Sequence, residues 1–181
     1  MNIRISNVNF NIPVSLVSYG FNVKNRTFVL TKVYILFMKI NLKSGVGQLL
    51  FGMKEKDVKA IYGEPSRQFK DDDNNTIYLY NKEKIRLTFY ADEDFKLGYL
   101  IAAHPDLELF SIKVLGQEWE SLKKKLDEKG VSGFERETYD SEDNLFNEAN
   151  WIIFRVEFGE VIRVELGATI NNKDEFDWKF R

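Results

Sequence analysis

Few residues in this chain can do chemistry on their own. There is one histidine, His104, and no cysteine among 181 residues. Without cysteine there is no disulfide, no thiolate nucleophile, no Cys-ligated zinc and no iron–sulfur cluster. A general base needs an oriented partner. His104 has no such cue nearby; it precedes Pro105 at the end of an expected strand and reads as a loop histidine. Asp71-Asp72-Asp73-Asn74-Asn75 opens like a calcium loop. Positions six and twelve, however, are Thr76 and Lys82, where an EF-hand needs Gly and Glu. A solvated loop is the simpler reading. Gly45-Val46-Gly47 is not followed by Gly-Lys-Ser/Thr, so it is no phosphate loop. Lys123, Lys124 and Lys125 are bracketed by Glu118, Glu120, Asp127 and Glu128, the pattern of a solvated helix face. No spacing of carboxylates singles out an acid–base pair. The sequence therefore predicts no enzyme, with no catalytic residue, no cofactor and no metal.

Binding chemistry is what remains. Side chains alternate across a strand. If Ile77, Leu79, Ile85, Leu87 and Phe89 face the interior, then Tyr78, Tyr80, Arg86 and Tyr90 face outward. In the second half, Ile152, Phe154, Val156 and Phe158 would face inward, leaving Trp151, Ile153, Arg155 and Glu157 outside. Tyr, Trp and Arg are the types enriched at binding hot spots. The predicted partner-binding set is thus Tyr78, Tyr80, Arg86, Tyr90, Trp151 and Arg155. The alternative is that the terminal segments cover this face and its rings are core.

These residues need elements to position them. Val58, Ile61 and Tyr62 share one face of an expected helix over residues 53–62, with Glu55 and Asp57 in its first turns. Gly63 and Pro65 stop it. A polar loop over 70–75 leads to alternating strands near 77–80, 85–90 and 97–103. Trp119, Leu122 and Leu126 mark a second helix, about one turn longer, closed by Gly130. Strands follow near 134–139, 151–158 and 161–167, with a polar loop expected over 140–150. Phe51, Gly52, Val58 and Tyr62 match Leu115, Gly116, Leu122 and Leu126 at a constant offset of 64. Coincidence between two amphipathic helices can produce such matches; so can duplication. The predicted class is α+β, two tandem helix-plus-antiparallel-sheet units over 38–108 and 109–170, with a tail over 171–181. Residues 1–37 hold six Asn and no acidic residue. They read as an atypical extension, either an added β-rich arm or an overextended reading frame before Met38.

Charge separates along the chain. Residues 1–54 carry seven basic and no acidic side chains, a net of +7, whereas residues 55–181 carry a net of −9. An acidic body argues against nucleic acid, whose phosphates need a basic face, and suits a basic protein partner. The uncharged stretch 5–23 is rich in Asn and alternates with period two, which reads as strand and not as a membrane span. With no compact apolar run before a small-residue cleavage site, the expected location is the cytoplasm.

One segment resembles a known family. Gly45-Val-Gly-Gln-Leu-Leu-Phe-Gly-Met, Asp57-Val58 and Tyr62-Gly63-Glu64-Pro65 are similar to the opening motif of small bacterial proteins with the beta-lactamase-inhibitor-protein-like fold. That class includes a secreted inhibitor and the small lipoprotein of the outer-membrane barrel-assembly machinery. Those two roles use disulfides and a lipidated Cys, respectively, and this chain has no Cys. The resemblance implies non-catalytic protein binding, in the manner of an inhibitor or immunity protein that occludes its partner through a sheet face. The alternative left open is a small-molecule-binding or enzymatic domain with a pocket between the two units.

Overall fold

The structure, a computed structural model, describes residues 38–181. The expected extension over 1–37, including its alternating stretch, lies outside the described residues.

The described chain opens with three short strands, β1 (Ile40–Asn41), β2 (Gly45–Val46) and β3 (Leu49–Leu50), paired in that order. Helix α1 (Glu55–Tyr62) follows. The Asp57 carboxylate accepts from the Lys54 backbone N–H at 2.9 Å, satisfying a donor at the helix entry. Gly63, at φ 76°, ends the helix in a conformation that glycine adopts without strain. Four antiparallel strands come next: β4 (Arg67–Lys70), β5 (Thr76–Tyr80), β6 (Ile85–Tyr90) and β7 (Lys96–Ala102). The hairpin of β8 (Glu108–Leu109) and β9 (Ile112–Lys113) leads to helix α2 (Trp119–Asp127). The Glu118 side chain caps α2, accepting from the N–H groups of Glu120 at 3.0 Å and Ser121 at 2.7 Å. Strands β10 (Glu135–Tyr139), β11 (Glu142–Asn147), β12 (Ile152–Glu157) and β13 (Glu160–Gly167) complete the order.

All eight long strands form one antiparallel sheet, β10-β11-β12-β13-β7-β6-β5-β4, so the α+β class stands. The sheet is continuous through the centre, because β13 pairs with β7 (Val164 with Ala102, Leu166 with Leu100), with one-residue register shifts on either side, at Arg155/Val156 and Thr88/Phe89. One inner row therefore reads Tyr80, Ile85, Ala102, Val164, Phe154, Leu145. All are buried and belong to one core cluster that also takes in Val58 of α1 and Trp119, Leu122 and Leu126 of α2. Both helices thus lie on the same face of the sheet.

Two expectations about elements need correction. The segment 140–150 is not a loop, since β11 occupies most of it. Glu142, Asn144 and Phe146 take the outer face and Asp143, Leu145 and Asn147 the inner one, where Leu145 and Asn147 are buried. Polar residues stand on both faces; on the outer one Asn144 and Glu142 meet Arg155, and on the inner one Asn147 donates to the Ser132 carbonyl at 2.6 Å. The second helix is longer by one residue, nine against eight, and not by a turn.

The face assignment of β5 is also corrected. Tyr78 and Tyr80 are buried on the helix side, and Ile77 and Leu79 point the other way. The cause is loop parity. Four residues, 81–84, separate Tyr80 from its partner Ile85, so even-numbered residues of β5 stand opposite odd-numbered residues of β6. Once Leu87 and Phe89 face inward, Tyr78 must follow. Tyr78 and Tyr80 therefore leave the predicted partner-binding set. Phe158, expected inward, sits at the turn between β12 and β13 at φ 49° and is 90% exposed.

Candidate binding face

The remaining candidates sit on the face opposite the helices. Its longest row crosses the whole sheet: Arg67, Leu79, Arg86, Ile101, Glu165, Ile153, Phe146, Glu135. Among the described residues neither helix touches this row.

Its centre is a charged lattice. Arg155 of β12 donates from Nη2 to Glu142 Oε2 at 2.8 Å and from Nη1 to Asn144 Oδ1, and its Nε lies 3.7 Å from Glu165 Oε1. Arg163 of β13 donates from Nε to Glu165 Oε1 at 3.1 Å and approaches Glu142 at 3.7 Å. Tyr99 of β7 donates its hydroxyl to the other Glu165 oxygen. Two guanidinium groups thus share two carboxylates, and Glu165 is 93% buried by them and its neighbours. Burial and the Glu165 hydrogen bond push the Tyr99 phenol well above the ordinary tyrosine range. Desolvation disfavours the phenolate, and the adjacent carboxylate repels it.

An aromatic group flanks the lattice. Trp151, one residue before β12, packs edge-on against Tyr99 at 5.9 Å and Phe146 at 5.7 Å. Its ring lies over Gly167, where a Cβ would come within 2.4 Å of it. The glycine is therefore required by the close approach, and the ring shields the bare backbone. Tyr90 repeats the device at the other half of the sheet, lying over Gly98. Phe176 of the tail lies tilted beside Tyr90 at 5.7 Å, and burial pushes the Tyr90 phenol up. The tail is held by hydrogen bonds from Lys179 and Phe180 backbone N–H groups to the Phe51 carbonyl, at 3.0 and 2.9 Å. Tyr90 is thus half covered by the chain's own C-terminus.

The structure brings Trp151 and Arg155 together on this face and places Arg86 two strands beyond Glu165. Arg86 is exposed and forms no ion pair among the described residues. Sequence reasoning missed Arg163, Glu142, Glu165 and Tyr99. The two-residue turn between β12 and β13 alone would set Arg155 opposite Ile162; a one-residue register shift between Arg155 and Val156 brings it opposite Arg163, and nothing in the local sequence signals that shift.

The other chemistry-bearing residues lie elsewhere. His104 Nδ1 accepts from the Asp106 backbone N–H at 3.1 Å in a loop. Asp71 accepts from the Asp73 and Asn75 N–H groups and shapes a polar turn. Lys123 pairs with Asp127 along α2 at 2.7 Å. The described residues hold no cluster of three or more His, Asp or Glu side chains arranged for a metal. A shallow, open depression is lined by Asn171, Asn172 and Lys173 of the tail. No helix among the described residues is long and apolar enough to cross a membrane.

No protein-family model and no curated protein matches the chain. Three solved structures are similar to it at low levels. An extracellular protein containing an SCP domain from Bacillus anthracis is 15% identical over 80% of this chain and 49% of its own, with a TM-score of 0.42. A DUF4309 family protein from Bacillus subtilis is 21% identical over 64% and 78%, with a TM-score of 0.43. A cysteine-rich secretory protein from Staphylococcus aureus is 15% identical over 68% and 46%, with a TM-score of 0.42. The matched region spans about half the length of the first and third of these. Likenesses this weak carry no argument about activity.

Proposed function

We propose that this chain is a non-catalytic protein-binding module, of the inhibitor or immunity type, that covers a partner with the helix-free face of its sheet. The observation carrying this reading is the arrangement on that face: Arg155 and Arg163 pre-ordered by Glu142 and Glu165, Trp151 beside them, and Arg86 exposed without a counter-ion. Pre-ordered side chains lose little entropy on binding, and desolvated Arg and Trp supply most of the energy at interfaces. The net of −9 over residues 55–181 favours, through steering, a partner that is basic overall and carries an acidic group to meet Arg86.

Two tandem units remain part of this reading. Each helix is followed by four antiparallel strands, and Gly52 and Gly116, 64 residues apart, both take positive φ, 98° and 70°. Those features and the opening motif support duplication and the beta-lactamase-inhibitor-protein-like class.

The test compares two charge reversals at exposed sites. Arg86→Glu, on the proposed face, should weaken capture of the native partner by about 2 kcal/mol or more if Arg86 is a hot spot. Lys124→Glu, on the helix side, should leave it unchanged. Both variants should melt like the parent. Equal capture by both would remove this face as the interface.

A further inference from the structure

The two edges of the eight-stranded sheet differ in what they can accept. Edge strands expose unpaired backbone N–H and C=O groups and pair with another strand unless something opposes it. At one edge, β10 opposes its own kind. Pairing two copies about the middle residue would set Glu137 against Glu137, and like charges directly opposite are destabilising. At the other edge, all four residues of β4 are exposed, and Phe69 keeps 42% of its surface in water. Lys70, the residue type that usually guards an edge, instead turns onto its own molecule, its ammonium 5.4 Å from the centre of the Phe95 ring.

The charges along β4 are ordered. Arg67 stands at its start, without an ion pair among the described residues, and Asp71 follows its end. An antiparallel strand complementary to basic-then-acidic is another basic-then-acidic strand. We infer that β4 is a self-association edge, and that two copies of this chain pair antiparallel through it about a two-fold axis at Phe69. In this register Phe69 stands opposite Phe69, Gln68 opposite Lys70, and Arg67 opposite Asp71 on both sides of the axis. The outer faces of both copies then lie on one side of a continuous sixteen-stranded sheet, because residues directly opposite share a face. The contact is isologous and closes on itself, so it yields a dimer and not a filament.

The absence of cysteine makes the register directly testable. Opposed residues of an antiparallel pair have Cα atoms about 4.5–5.5 Å apart, within the range a disulfide spans. In the full chain under a mild oxidant, Phe69→Cys should give a disulfide-linked dimer as the main product. Gln68→Cys, whose counterpart is Lys70, and Tyr139→Cys, on the other edge, should stay largely uncrosslinked. Sedimentation of the parent should show a species approaching twice 21.3 kDa as concentration rises. Phe69→Glu should raise its dissociation constant at least about tenfold, with an unchanged circular dichroism spectrum. A parent that stays monomeric at every concentration overturns the proposal. So does a dimer as tight in Phe69→Glu as in the parent, or cross-linking as efficient at position 68 or 139 as at 69.

Discussion

In the first half of the sheet the strands reach for the helix. Tyr78 donates its hydroxyl to Glu55 of α1, and Tyr80 donates to the carbonyl of Gly63, where α1 ends, at 2.9 Å. In the second half the helix reaches for the strands. Trp119, the first residue of α2, packs between Phe134 at 5.1 Å and Phe154 at 5.4 Å, while the polar links are its backbone N–H to the Gly159 carbonyl at 2.9 Å and an exposed pair of Arg136 with Glu120 at 3.1 Å. The outer faces reverse this assignment. Behind Tyr78 and Tyr80 stand the lone cations Arg67 and Arg86; behind Trp119 stands the lattice of Arg155, Arg163, Glu142 and Glu165. Where hydroxyls anchor the helix, the outer charges are free to meet a partner; where an apolar plug anchors it, the charges hold one another.

Deleting the plug should show the largest effect. Trp119→Ala empties a buried indole site between two rings and should cost roughly 3–5 kcal/mol. Tyr78→Phe removes one hydroxyl while keeping the ring packed against Phe89 at 5.0 Å, and should cost about 1 kcal/mol. Urea midpoints at constant slope measure both. Comparable losses would mean that the two halves hold their helices in the same way.

On the outer face the order of the halves is opposite. Arg155→Ala removes the hydrogen bonds to Glu142 and Asn144 and takes the guanidinium away from Glu165, already 93% buried, and should cost about 1.5–3 kcal/mol, the range for hydrogen bonds to charged groups. Arg86→Ala removes an exposed side chain without an ion pair and should stay within about 0.5 kcal/mol. A destabilising Arg86→Ala would show that the first half uses its cation structurally.

Much of the inner face was legible in the sequence. The helical spacing of Val58, Ile61 and Tyr62, and of Trp119, Leu122 and Leu126, placed both helices against the core. Alternation in β6 and β12 gave Leu87, Phe89, Ile152 and Phe154 their inward positions. What failed was the inference that aliphatic residues point in and tyrosines out. In β5 the hairpin parity decides, and a tyrosine with an acceptor for its hydroxyl is as good a core residue as leucine. The lattice was less legible, because its members come from three strands, β11, β12 and β13, and from Tyr99 of β7. Only the sheet register, a long-range property, brings Glu142 and Glu165 to the same arginine. Strand β11 was hidden for the same reason, since its polar side chains signal a loop until their cross-strand partners are known.

The smallest effect at neutral pH should become visible only in alkali, and it too divides the halves. Burial pushes the phenols of Tyr62 and Tyr80 up to about 12, and raises Tyr78 further through burial and Glu55. All three belong to the first half, Tyr62 at the end of α1 and Tyr78 and Tyr80 on the strand it covers; no tyrosine plays this part at α2. A phenol whose folded pKa exceeds its unfolded value of about 10 contributes its full stabilisation below pH 10. That contribution falls as pH rises from 10 through the folded value, because the unfolded chain releases its proton first. Stability should therefore be level from neutral pH to about 10 and decline up to about 12 and beyond. Tyr80→Phe removes one titrating group and the Gly63 hydrogen bond together. It should start about 1 kcal/mol lower at neutral pH and then decline less steeply than the parent between pH 10 and 12, so the two curves converge. Trp119→Phe alters the other half and titrates nothing there, so it should start lower and run parallel to the parent. Urea midpoints across this range distinguish the two shapes, and a Tyr80→Phe curve parallel to the parent would place the alkaline sensitivity outside the α1 contact.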